Sequence, residues 1–128
     1  MARKKSAILT EGELRLMEIL WQKGKATVAD VTSALPPPPI AYSTVLTTMR
    51  ILEQKGYVSH EEDGRAYLYR PLVARDEAAK SAIGQLVDRF FKDNSGELAL
   101  RLVAQERPSD EELRRLKALI ERYEENGK

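Results

Sequence analysis

An Asp63-Gly64 pair between two short β-prone runs, directly after three helical patterns, constrains this chain more than any other feature. Aspartate followed by glycine suits a two-residue hairpin turn, because both central positions of a type I′ turn need positive φ. The flanking runs, residues 57–61 and 65–69, are rich in residues that favour a pleated surface, and Pro71 closes the second. Upstream, Thr10 and Glu13 make a capping-box signature ahead of Leu14, Met17, Leu20 and Trp21 at helical spacing, with Gly24 as the stop. Thr27 and Asp30 open a second helix with Val28, Val31 and Leu35 on its apolar face, and four prolines at 36–39 end it. A third helix is expected over Tyr42–Lys55, stopped by Gly56. Residues 8–70 thus read helix, helix, helix, two-stranded hairpin. The proline run is too short for a useful polyproline ligand and reads as a stiff connector.

The rest of the chain is helical. "VARDEAAKSAIGQLVDRFF" and "SGELALRLVAQ" carry apolar residues at helical spacing, and "SDEELRRLKALIERYEE" opens with a third capping box, Ser109 to Glu112. The expected fold class is mainly α with a small β-hairpin. A winged helix-turn-helix domain, 1–71, is followed by a helical domain, 72–128. The chain has 128 residues with 42% hydrophobic and 32% charged content, so a packed core is expected rather than disorder. Cysteine is absent, which excludes disulfides and thiolate metal sites and fits a reducing, cytoplasmic location. No apolar run approaches the ~20 residues that span a bilayer, so membrane insertion is not expected. The basic start, "MARKKS", reads as a frayed, solvated terminus.

The net charge of +1 does not by itself announce a nucleic-acid partner. Residues 1–70 hold 10 Lys+Arg against 8 Asp+Glu, and residues 71–128 hold 11 against 12, so only the front half is mildly basic. The third helix is more informative. The face expected to be buried is Val45, Thr48, Met49 and Leu52; the opposite face is Ser43, Thr47, Arg50 and Gln54, flanked by Leu46 and Ile51. Hydroxyl and β-branched residues are mediocre helix formers. A plain solvated face would carry Glu and Lys. Short hydrogen-bonding side chains with one arginine suit a duplex groove, where Arg pairs with guanine and Leu46 meets a thymine methyl. The helix N-terminus adds unpaired N–H groups for phosphate. In a winged helix-turn-helix this helix enters the major groove and the hairpin tip, with Arg65 beside the turn, lies along the backbone or minor groove. Glu61, Glu62 and Asp63 oppose a phosphate contact there, and Tyr67 and Tyr69 read as packing residues.

"LTEGELRLMEILWQKGKATVADV", "AYSTVLTTMRILEQKGYV" and "DGRAYLYRP" resemble, in order and spacing, the penicillinase-repressor family, also called the BlaI/MecI family. The resemblance covers residues 8–71 well; the tail is similar in its order of helices and its length. It implies a homodimeric repressor of transcription, tied to antibiotic resistance, that binds a palindromic promoter operator in double-stranded DNA. Carried over residue by residue, the recognition helix maps to Tyr42–Lys55. DNA contacts are implied at Tyr42, Ser43, Thr44, Leu46, Thr47 and Arg50, and a wing contact at Arg65. The family is often paired with a membrane-bound sensor protease that cuts the C-terminal region. Where the best-known members are cut at an Asn-Phe bond, "ALRLVAQE" offers Arg101-Leu102. The copper-responsive branch senses metal through cysteines, and this chain has none.

The tail on its own terms points to a dimer. Three amphipathic helices are too few for a comfortable separate core. Burying Phe90, Phe91, Leu98, Leu102, Leu116, Leu119 and Ile120 against a twin solves this, and a two-fold dimer sets two recognition helices about one DNA turn, or a multiple of it, apart. Catalysis is not expected, since one histidine and no cysteine support no nucleophile–base set. No cofactor or metal is expected, because His60 and its acidic neighbours alternate between strand faces. Two other readings stay open: a winged helix used as a protein-binding adaptor, and a DNA-binding activator.

Overall fold

The computed structural model describes residues 8–127; the expected frayed arm over residues 1–6 lies outside the described residues. The elements run α1 (Glu11–Lys23), β1 (Ala26–Thr27), α2 (Val28–Ala34), α3 (Tyr42–Lys55), β2 (Val58–Asp63), β3 (Ala66–Pro71), α4 (Arg75–Phe90), α5 (Ser95–Gln105) and α6 (Asp110–Asn126). All three expected capping boxes form. Thr10 pairs with Glu13, Thr27 with Asp30 and Ser109 with Glu112, each side chain accepting the other's backbone N–H. Each box ties up helix-end amides that water would otherwise have to satisfy.

The chain divides into two compact units between Leu86 and Val87, inside α4. The first is a winged helix. Its core is built from α1 (Leu16, Met17, Leu20), α2 (Val31), α3 (Val45, Met49, Leu52) and the sheet (Tyr57, Val58, Tyr69), all with side chains almost fully withdrawn from water. Each contributes about 1.5–3 kcal/mol of burial. The opening turns of α4 also belong to this unit. Trp21 Nε1 donates to the Val73 carbonyl at 2.9 Å, and the Arg75 guanidinium lies 4.9 Å above the Trp21 ring while pairing with Glu18. Ala78 is buried with the core. The expected boundary at 71/72 therefore precedes a segment that packs on the winged helix.

Two features of the sheet differ from the sequence reading. The hairpin gains a third strand, β1, giving the order β1-β3-β2, with Ala26 opposite Tyr69 and Thr27 opposite Leu68. The turn also sits one residue later than Asp63-Gly64. Asp63 pairs with Ala66, so Gly64 and Arg65 are the two central residues. Of the turn residues only Gly64 has positive φ, +65°. That is the pattern of a turn needing positive φ at its first central position alone, where glycine is the residue of choice. The strands consequently run to Asp63 and from Ala66, and Arg65 occupies the wing tip itself.

In the second unit, Lys92 and Asp93 take left-handed φ values of 49° and 66° ahead of α5, and Asn94 caps that helix by accepting from the Glu97 amide at 3.1 Å. Its interior is thin. Val87 and Leu98 are buried, whereas no residue of α6 is.

Candidate nucleic-acid interface

Helix α3 presents its two faces as the periodicity predicts. Val45, Met49 and Leu52 are buried, Thr48 on the edge of that face is only half-buried, and Ser43, Thr47, Arg50 and Gln54 are exposed. Tyr42 and Thr44 are exposed as well. Leu46 is half-buried and packs against the core, so only its outer edge is free. Ile51, on the other flank, is exposed.

The N-terminus of α3 differs from those of α1, α2, α5 and α6, which are all capped by side chains. Its N-cap is Ala41, which has no side chain able to accept. The Ala41 carbonyl takes the Thr44 and Val45 amides at 3.0 Å each. The Tyr42 and Ser43 amides are left facing outward at the positive end of the helix, an arrangement that suits phosphate.

The threonines are used differently from a simple donor surface. Thr47 Oγ1 donates to the Ser43 carbonyl at 3.0 Å, and Thr48 Oγ1 donates to the Thr44 carbonyl at 2.8 Å. With its proton returned to the helix, the Thr47 hydroxyl offers only lone pairs to a partner. Approach of another surface then strands no hydroxyl donor at Thr47 or Thr48. This accounts for β-branched hydroxyl residues in a place where they cost helix propensity.

The wing flanks this helix. His60 on β2 places Nδ1 2.8 Å from both carboxylate oxygens of Glu53 on α3. Its ring stacks on Tyr67 at 4.3 Å and leans on Tyr69 at 5.3 Å. Tyr69 is a core residue, 1% exposed, and its hydroxyl is pushed above the ordinary value by burial and by the nearby Glu53, against a smaller opposing pull from Arg50. Tyr67 is nearly half exposed on the wing surface. Both tyrosines thus pack around His60. Of the three wing acids, Glu61 meets Lys25 at 3.4 Å, with both side chains more than half in water. That pair adds little stability but offsets one negative charge near the tip. Arg65 is exposed.

Behind α3, Lys55 at its last turn reaches Glu13 at the first turn of α1, with Nζ 2.8 Å and 3.0 Å from the two carboxylate oxygens. Glu13 also accepts the Thr10 amide at 2.9 Å. Burial would raise its pKa, but the Lys55 ammonium and the Thr10 amide more than offset this and hold it below the ordinary value. Arg15 Nη2 donates to the carbonyls of Pro36 and Pro38 at 2.6 Å and 2.9 Å, so α1 also grips the segment leading into α3.

The expected dimer residues lie at the end of α4 and in the second unit. Phe90 is 74% exposed, Ile120 56%, Leu102 52% and Leu119 46%, while Phe91 and Leu116 are half-buried and Leu98 is buried within its own chain. Beyond the expected residues, Leu100 is exposed on the side of α5 away from Leu98, and Val103 is exposed next to Leu102. A helix apolar on both sides needs cover on both. The α5–α6 side chains Leu102, Val103, Leu116 and Leu119 line an open groove rimmed by Arg115 and Arg122.

Comparisons with known proteins agree with this architecture. A family model described as Penicillinase repressor matches residues 9–122. The Penicillinase repressor of Bacillus licheniformis is 21% identical over 126 residues, covering 98% of each chain. The Transcriptional regulator BlaI of Mycobacterium tuberculosis is 34% identical over 94 residues, covering 71% of this chain and 66% of that one. Among solved structures, the DNA binding domain of the repressor BlaI superposes with a TM-score of 0.52 at 24% identity, covering 59% of this chain and 93% of that one. At that identity the likeness concerns the fold.

Proposed function

This chain belongs to the penicillinase repressor family, and from that we propose that it is a DNA-binding transcriptional repressor acting as a homodimer on a palindromic promoter operator. The observation that carries the reading is α3: an exposed face of Ser43, Thr47, Arg50 and Gln54 behind a helix start without a side-chain cap. Arg50 takes a guanine edge, Thr47 accepts from a base amino group, and the outer edge of Leu46 meets a thymine methyl. Tyr42, Ser43 and Thr44 sit at the helix end and hold phosphate, with Arg65 doing so from the wing. No catalysis and no cofactor enter this mechanism, and its place of action is the cytoplasm. Among the described residues no helix is long and apolar enough to cross a membrane.

The dimer forms through the end of α4 with α5 and α6. The exposed Phe90, Leu102, Leu119 and Ile120, with Phe91 and Leu116, supply the apolar surface, and Leu98 packs beneath it. Release follows proteolysis of the C-terminal region by a membrane-bound sensor protease. The Arg101-Leu102 bond lies inside α5, so a cut there requires that turn to unwind first.

Selection of random duplex DNA by the purified full chain, then a salt titration on the winners, tests this. A two-fold-symmetric consensus is expected, with log affinity falling steeply against log salt at about 0.9 per phosphate neutralised. No enrichment and a flat salt response would refute DNA binding and favour a protein partner for α3.

A further inference from the structure

Arg50 and Glu53 stand three positions apart on α3, a spacing at which opposite charges on a helix pair with each other. An arginine held by its own helix must break that pair before it meets DNA. Among the described residues, however, Arg50 makes no ion pair. Glu53 is turned instead to the wing, where both of its carboxylate oxygens lie 2.8 Å from His60 Nδ1. The His60 ring cannot easily swing away, being stacked on Tyr67 within 21° of parallel and backed by the buried Tyr69.

We propose that His60 is a positioning residue for DNA recognition: its Nδ1–H holds the Glu53 carboxylate on the wing and leaves the Arg50 guanidinium free for a base. The inference rests on α3 being the DNA-reading helix. A neutral Nδ1–H tautomer and an imidazolium both donate in this way. The aromatic stack and the carboxylate together make the wing strand a holder for one residue of the recognition helix.

The test uses the full chain and the duplex that it selects. His60→Phe keeps a ring to stack on Tyr67 and removes the donor, and His60→Asn returns an amide donor near the Nδ1 position. With Glu53 released, Arg50 pairs along the helix, and an exposed pair at this spacing weakens binding about twofold per recognition helix. The loss is read by fluorescence anisotropy at low salt. His60→Asn should bind like the wild type. Glu53→Gln should restore binding in the His60→Phe background while changing the wild type little. On an Arg50→Ala background, His60→Phe should add nothing. Equal gains from Glu53→Gln in both backgrounds would mean a general charge effect and would overturn the proposal, as would His60→Phe without loss. Nitrogen-15 NMR of the DNA-free protein gives an independent reading. Nδ1 should carry a proton, and a bare Nδ1 in the Nε2–H tautomer overturns the proposal whatever the protein binds. A wild-type chain that selects no duplex would instead sink the DNA reading, and this inference with it.

Discussion

Removing the Glu13 carboxylate should cost the winged helix more than the loss of an exposed ion pair would. Glu13→Ala acts twice. It deprives the Thr10 amide of its acceptor, half of a capping box, for about 0.5–1 kcal/mol. It also leaves the Lys55 ammonium without two contacts of 2.8 Å and 3.0 Å. Breaking a fully buried pair from one side costs about 3–5 kcal/mol. Here the Glu13 side chain is 7% exposed but Lys55 is 24%, so water reaches the ammonium and the cost falls to about 1–2 kcal/mol. The sum is about 1.5–3 kcal/mol, read from urea unfolding at fixed protein concentration so that any association cancels. Lys55→Met in the Glu13→Ala background should recover part of that loss, because no ammonium is then stranded. The pH dependence has a definite sign. The folded carboxyl titrates below its ordinary value of 4.5, so its stabilisation is complete above that value and disappears as pH falls through the lower, folded one. A Glu13→Ala loss below about 1 kcal/mol, or a double mutant whose losses simply add, would refute the ion pair as a structural tie.

Arg50→Ala should lose roughly 1–3 kcal/mol on the selected site and relax preference at one base position; an equal loss on every sequence would make Arg50 a phosphate contact. Arg65→Ala should weaken binding about uniformly across sequences and lower the salt slope by about one, a change that anisotropy titrations at several salt concentrations resolve. Leu102→Asp places a charge on a half-exposed residue of the α5–α6 groove, so sedimentation should find monomer where the wild type is dimeric, and a persisting dimer removes Leu102 from the interface. Gly64→Ala forces a Cβ into φ +65°, and thermal unfolding should register about 1–2 kcal/mol lost although no neighbouring atom lies within 4 Å.

The helical parts of this protein were legible because their signals are local. Thr10 with Glu13, Thr27 with Asp30 and Ser109 with Glu112 are three residues apart, and helix geometry alone brings each pair together. The exposed face of α3 followed from period 3.6 in the same way, as did the apolar excess of the tail. The hairpin was legible in kind but misplaced by one residue. Asp63-Gly64 carries the stronger turn signal by composition, yet the register that places Val58 and Tyr69 in the core leaves Gly64 and Arg65 at the bend.

What the sequence alone determined is therefore the order of elements, their caps and the chemistry of each face. The tertiary structure decided the rest. It made a strand of Ala26–Thr27, too short for any pattern, by laying it against β3. It tied Glu13 to Lys55 across 42 positions and turned Glu53 toward His60 rather than Arg50. It also drew the first turns of α4 onto Trp21. Contacts of this kind carry no signature at short spacing, because they exist only once burial of the common core has set the elements side by side.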